Sequence, residues 1–163
     1  MKFLFFLSFV LLGCHLKSTD TFTLVLTGKV IKIVDGDTYD ILLDDNTTKR
    51  IRMDGIDAPE RGMPFFKVSK DYLGSLCFGK MVRIEQTTMD QYGRTVARSY
   101  QTDNRELGLQ MIQAGYAWHF KRYSSDRILA NAETVARNNK AGLWSDEMPV
   151  APWNWRRKSR EKK

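Results

Sequence analysis

The stretch from residue 22 to residue 53 constrains the fold most, because it reads as three strands whose connections are too short to separate them. Residues 22–34 are rich in Val, Ile, Leu, Thr and Phe and lead straight into Asp35-Gly36, a strong hairpin signal. A second strand is predicted over residues 38–43, a turn at Asp44-Asp45-Asn46, and a third strand over residues 48–53. In the third run Lys49, Ile51 and Met53 share one face, Arg50 and Arg52 the other. Strands joined this tightly make a β-meander.

Farther along, two glycines and two prolines mark residues 54–64 as a loop. Helical spacing follows over residues 68–77 (Val68, Tyr72 and Leu76; Leu73 and Cys77), and Gly79 ends it. Residues 80–86 and 94–101 read as two more strands about a turn at 90–93. Asp103 and Glu106 form a candidate capping box ahead of an apolar stripe, Leu107, Met111 and Ala114, which Gly115 would stop. Ser125 is a candidate cap for a third helix with the stripe Leu129, Ala132 and Ala136. Five strands with an inserted helix predict an α+β domain over residues 22–148: an OB-fold-like, partly open five-stranded β-barrel with about three α-helices packed on it. Such a fold decides no function by itself.

The two ends read differently. Lys2 precedes residues 3–12, which are apolar except for Ser8 and too short to span a bilayer. Residues 1–13 have the shape of a secretory signal peptide. Leu11-Leu12-Gly13-Cys14 resembles a bacterial lipobox, which makes Cys14 the expected lipidation site and residues 15–21 a tether. A plain cleaved signal or an uncleaved anchor is the alternative. Either way the expectation is export, as a cell-envelope lipoprotein or a secreted protein. Residues 149–163 turn to Pro, Trp and a basic run, and are predicted to be a tail that packs back on the body or meets membrane.

The net charge of +7 favours polyanionic partners, nucleic acid or an anionic membrane surface. Two cysteines, Cys14 and Cys77, suggest neither a disulfide framework nor a Cys-based zinc site, and only two histidines are present. Any bound metal must then be held mainly by oxygen. Carboxylates are available in Asp35-Gly36-Asp37-Thr38 and in residues 52–60, RMDGIDAPE, where Asp37, Asp57 and Glu60 offer hard donors suited to Ca²⁺. The spacing does not match an EF-hand, and each acid taken alone is equally a turn or loop former. Arg52 and Arg94 offer planar forks matched to phosphate, against the alternative of a solvated strand face. Tyr92 sits at a turn, placed to stack on a base or simply to face solvent. The run Tyr116, Trp118, His119, Phe120, Tyr123, with Lys121 and Arg122 among it, suits a single-stranded nucleic-acid groove or a core beneath the last helix. His119 is read as structural.

Taken in order, the segments DGDT, RMDGIDAPE, DQYGR and NKAGLW resemble the staphylococcal nuclease, or thermonuclease, family over about residues 30–144. The resemblance implies an OB-fold hydrolase that cuts DNA and RNA with Ca²⁺ and leaves 3′-phosphate ends. It implies Asp37, Asp57 and the backbone carbonyl of Ala58 as metal ligands. Ala58 stands where many relatives carry Thr, which keeps the carbonyl and removes a hydroxyl. It further implies Glu60 as general base, Arg52 and Arg94 as the arginines on the phosphate, and Tyr92 as a substrate-binding residue. Gln91 replaces a lysine often found before that tyrosine. Preference for single-stranded substrate, DNA and RNA as partners, no protein partner and a monomeric state complete the expectation. The alternative is an inactive nucleic-acid-binding OB-fold module at the cell envelope. Degenerate modules lose acids and arginines, whereas this chain keeps Asp37, Arg52, Asp57, Glu60 and Arg94.

Overall fold

In the computed structural model, which describes residues 24–161, strand β1 (Leu24–Ile33) is long enough to serve two partners. The expected signal segment, Cys14 and the tether lie outside the described residues. The first half of β1 pairs antiparallel with β5 (Met81–Met89), and its second half with β2 (Thr38–Leu42). A register shift between Val30 and Lys32 leaves Ile31 as an extra residue and bends the strand, as a bulge does. Gly28 sits near the changeover, where a Cβ would lie 2.9 Å from the carbonyl oxygen of Leu42. β3 (Thr48–Met53) continues the meander and then pairs parallel with β6 (Thr95–Tyr100), which pairs with β5. The order β1-β2-β3-β6-β5 closes a barrel, where the sequence predicted a partly open one.

Alternation along these strands fills the interior. Val30, Tyr39, Ile41, Ile51, Ile84 and Ala97 are fully buried, and each large aliphatic side chain contributes about 1.5–3 kcal/mol on leaving water. The buried Tyr39 hydroxyl donates to Ser99 Oγ at 2.7 Å, so its polar end is satisfied inside an apolar core.

Helix α1 (Phe66–Cys77) covers one side of the barrel, with Leu73 and Cys77 in the core. Its Ser69 Oγ donates to the Tyr116 carbonyl at 2.8 Å. Helices α2 (Leu107–Gln113) and α3 (Arg127–Asn138) pack on each other, but their starts differ from expectation. No Asp103–Glu106 capping box forms. Asp103 accepts from the backbone and side chain of Arg105, and Glu106 pairs with Arg98 at 3.5 Å. The cap of α3 is Asp126 rather than Ser125: Oδ1 accepts from the N–H groups of Ile128 (2.7 Å) and Leu129 (3.3 Å). Asp126 also pairs with Arg98, a neutralisation that a serine hydroxyl lacks. Beyond a 3₁₀ turn (Gly142–Ser145), the segment expected as a tail contains a fourth helix, α4 (Pro152–Glu161), with Pro152 at its first position. Trp153 of α4 packs against a second apolar cluster of Trp118, Ala136, Leu143, Trp144 and Ala151. Two further strands, β4 (Ile56–Asp57) and β7 (Trp118–His119), are two residues each and pair with one another.

Candidate active site

The turn between β1 and β2 is built by its own side chains. Asp35 Oδ1 accepts from the Asp37 N–H at 3.0 Å, and the Val34 and Asp35 N–H groups donate to the Thr38 carbonyl. Gly36 allows α1 to approach, since a Cβ there would fall 1.9 Å from Ser69 Oγ. Asp37 is thereby turned inward and ties two loops together. Its Oδ1 accepts from Thr38 Oγ1 at 2.8 Å and its Oδ2 from the Ala58 N–H at 2.7 Å. Asp57 comes from the other side, fixed by the pairing of β4 with β7, where it lies opposite Trp118.

Arg52 joins the two acids. The β2–β3 register sets Arg52 opposite Thr38. Its Nη2 lies 3.0 Å from Asp57 Oδ1 and 3.2 Å from Asp37 Oδ2, while Nη1 donates to the Met53 carbonyl at 2.7 Å. Both acids are buried, and the Arg52 side chain is 12% exposed. Burial, with the charge of Asp37 added, raises the Asp35 carboxyl to about 7. Asp57 is also pushed up, chiefly by burial, with hydrogen bonding from Arg156 working against that rise. Crowded, desolvated carboxylates of this kind are stabilised by added positive charge.

The chemistry of the donor set, hard buried oxygens in like-charged company, fits a hard divalent cation. Among the described residues, however, no group of three or more His, Cys, Asp or Glu side chains is drawn together closely enough to hold a metal. Guanidiniums stand among the acids instead.

Glu60 faces the same cleft with its side chain 39% exposed. Its loop is closed by the Met63 N–H donating to the Glu60 carbonyl at 2.9 Å. Arg94 and Tyr92 line the cleft from the β5–β6 turn and do not touch the acids. Arg94 Nε is held by Asp90 Oδ2 at 2.6 Å, and Tyr92 is 71% exposed at the rim. The cleft they share has a volume of about 1580 Å³. The aromatic run divides between the two readings. Trp118 and His119 are buried at the back of the cleft, and Phe120, Lys121, Arg122 and Tyr123 line it with them. His119 is held by Ser124 Oγ at 3.1 Å from Nε2, and burial lowers its basicity.

Sequence reasoning missed Arg156. Its Nη2 lies 2.7 Å from Asp57 Oδ2, and its Nη1 2.5 Å from Glu60 Oε1 and 3.2 Å from Asp57 Oδ1. The signal was present in the tail: a proline, then Trp153, then an arginine three residues on, the spacing of one helix face.

Comparison with known proteins converges on one family. Residues 50–146, more than half of the chain, match the family model described as staphylococcal nuclease homologue. The chain belongs to the staphylococcal nuclease family. It is 39% identical over 129 residues to an uncharacterized endonuclease of Escherichia coli, covering 79% of this chain and 84% of that one. It is 36% identical over 143 residues to a micrococcal nuclease of Shigella flexneri, covering 82% of each. To a probable staphylococcal-like nuclease of Oryza sativa subsp. japonica it is 45% identical over 111 residues, 68% of this chain but 30% of that protein. The segment matching the family model contains Arg52, Asp57, Ala58, Glu60, Tyr92 and Arg94, while α4 and Arg156 lie beyond it.

Proposed function

We propose that the protein is a Ca²⁺-dependent phosphodiesterase that hydrolyses DNA and RNA, favours single-stranded substrate and leaves 3′-phosphate ends. The observation that carries this reading is the buried Asp37–Arg52–Asp57 cluster on the cleft that Glu60 and Arg94 also line. Family membership and relatives named as nucleases support it.

In this reading Asp37, Asp57 and the Ala58 carbonyl hold Ca²⁺, whose positive charge would stabilise the phosphate oxygens. Glu60 takes a proton on a carboxylate oxygen from the attacking water as the new phosphorus–oxygen bond forms. Arg52 and Arg94 donate to the equatorial oxygens, where charge grows in the transition state. The bond from phosphorus to the 5′ oxygen breaks, and that oxygen takes a proton from solvent. Tyr92, exposed at the rim, stacks on an adjacent base, a contact open to unpaired strands.

The test is cleavage of labelled single-stranded DNA and RNA in Ca²⁺, in Mg²⁺ and in chelator. Cutting should require Ca²⁺ and fall about 100-fold or more in Glu60→Gln; chelator-insensitive cutting, or a variant as fast as wild type, would refute the assignment. A second reading, a binding module without catalysis, draws on Arg156 covering Glu60 and Asp57. Salt-sensitive binding without cutting would favour it. The lipobox-like Leu11–Cys14 segment supports export with a lipid on Cys14, and Cys14→Ser should then shift the protein out of the membrane fraction.

A further inference from the structure

Arg156 has no part in the reaction just described, yet it touches two of the acids assigned to it. Docking of α4 aims this side chain. Trp153 stacks on Phe120, with ring centroids 5.4 Å apart and planes 4° from parallel, and meets Trp118 edge-on at 5.5 Å. Trp155 lies over Gly62, where a Cβ would come 3.7 Å from its ring. One turn beyond Trp153, the Arg156 fork spans both oxygens of Asp57 and reaches Oε1 of Glu60. It thus binds the acid assigned to the cation and the acid assigned to the water.

That position conflicts with a cation on Asp57, because like charges would share one carboxylate. It also masks the lone pairs with which Glu60 would accept a proton. Unlike Arg52, Arg156 is 34% exposed, and it sits on an outer helix rather than a barrel strand. The same cleft is also lined by Arg157 and Arg160 of α4, so this wall is already cationic. A phosphodiester entering the cleft offers the Arg156 fork a second anion of matching geometry.

We propose that Arg156 is a phosphate-binding residue that rests on Asp57 and Glu60 in the free protein and turns to a non-bridging oxygen of the substrate when those acids are engaged. The proposal rests on the nuclease reading above. It makes uptake of cation and substrate mutually favourable, because the phosphate receives the guanidinium that the acids release.

The experiment measures two quantities on the full chain, as wild type, Arg156→Gln and Lys158→Gln. One is Ca²⁺ affinity by calorimetry without nucleic acid; the other is kcat/KM on single-stranded DNA. Arg156→Gln should bind Ca²⁺ roughly tenfold tighter, the size of one charge coupling. Its kcat/KM should fall about tenfold to a hundredfold. Lys158→Gln, which does not line the cleft, should match wild type in both. The opposite signs separate this role from its rivals. A packing role would weaken both quantities, and a simple plug would strengthen both; either result overturns the proposal. So does Ca²⁺ binding that is absent or unchanged. If wild type cuts and Arg156→Gln cuts equally well, this proposal fails alone. If wild type does not cut, the nuclease reading fails, and the phosphate role with it.

Discussion

Arg52 and Arg156 both donate to Asp57, but they are held by different parts of the molecule. Arg52 lies on a barrel strand paired on both edges, opposite Thr38 on one side and Val96 on the other. Its guanidinium is nearly enclosed and is the link between two buried carboxylates. Arg156 stands on a helix packed outside the barrel, and its other partner, Glu60, is open to solvent. The same kind of ion pair is therefore held more tightly in one case, where the guanidinium is enclosed, and more loosely in the other. Removing Arg52 leaves desolvated charge behind, whereas removing Arg156 leaves acids that Arg52 and water still serve.

The largest effect that can break this comparison is on stability. Arg52→Met should destabilise the fold by about 3–5 kcal/mol in chemical denaturation, the cost of orphaning buried charge. Arg156→Met should cost less, about 1–2 kcal/mol, because Asp57 is buried but keeps its bond from Arg52 while the Arg156 side chain is partly exposed. Equal losses would mean that Arg156 is as structural as Arg52. A smaller effect sharpens the contrast: Trp153→Ala removes the ring that docks α4 and should cost about 2 kcal/mol. It should also expose residues 152–161 to protease while the barrel stays protected. A barrel that becomes protease-sensitive together with α4 would show that the two unfold as one.

The smallest effect concerns the support beneath Asp57, where His119 sits on β7. Burial lowers its pKa below the ordinary 6.5. The unfolded chain therefore takes up a proton first as pH falls. The stability that His119 contributes is complete above about pH 6.5 and declines below it, towards the folded pKa. Asp35, raised to about 7, acts in the opposite sense, because its folded form binds the proton more readily. The difference between wild type and His119→Gln isolates the histidine: melting temperature should fall less steeply with acidification in the variant. Parallel curves would place His119 outside the pH response.

Much of the barrel was legible because its signals are local. Asp35-Gly36 and Asp44-Asp45-Asn46 turn the chain within a few residues, and alternation in β3 and β6 marks which side chains fill the core. Asp37, Arg52, Asp57 and Glu60 were singled out from short segments, and the fold does bring them to one cleft. The errors arose where a long-range partner competed with a local one. Asp103 and Glu106 were expected to form a capping box for α2, but Glu106 pairs with Arg98, which also pairs with Asp126, the cap of α3. The two-residue strands β4 and β7 have no periodicity to read, since each is defined by its partner. The tail was expected to pack on the body or meet membrane, but its helix and the reach of Arg156 were not read, because three cationic residues follow one aromatic over residues 155–158 and mask the apolar periodicity.

The sequence alone determined a three-stranded meander, a further two-stranded hairpin and helices, a cationic chain, and an oxygen-rich set of acids and arginines in the order of one nuclease family. Those follow from turn chemistry, side-chain alternation and residue type, which act over a few positions. Tertiary structure alone decided that the barrel closes through a parallel β3–β6 pair, that Arg52 bridges Asp37 and Asp57, and that Arg156 reaches Asp57 from 99 residues away. The reason is physical: where a charged side chain goes depends on which opposite charge the packed chain leaves unsatisfied, and that is settled only when distant segments meet.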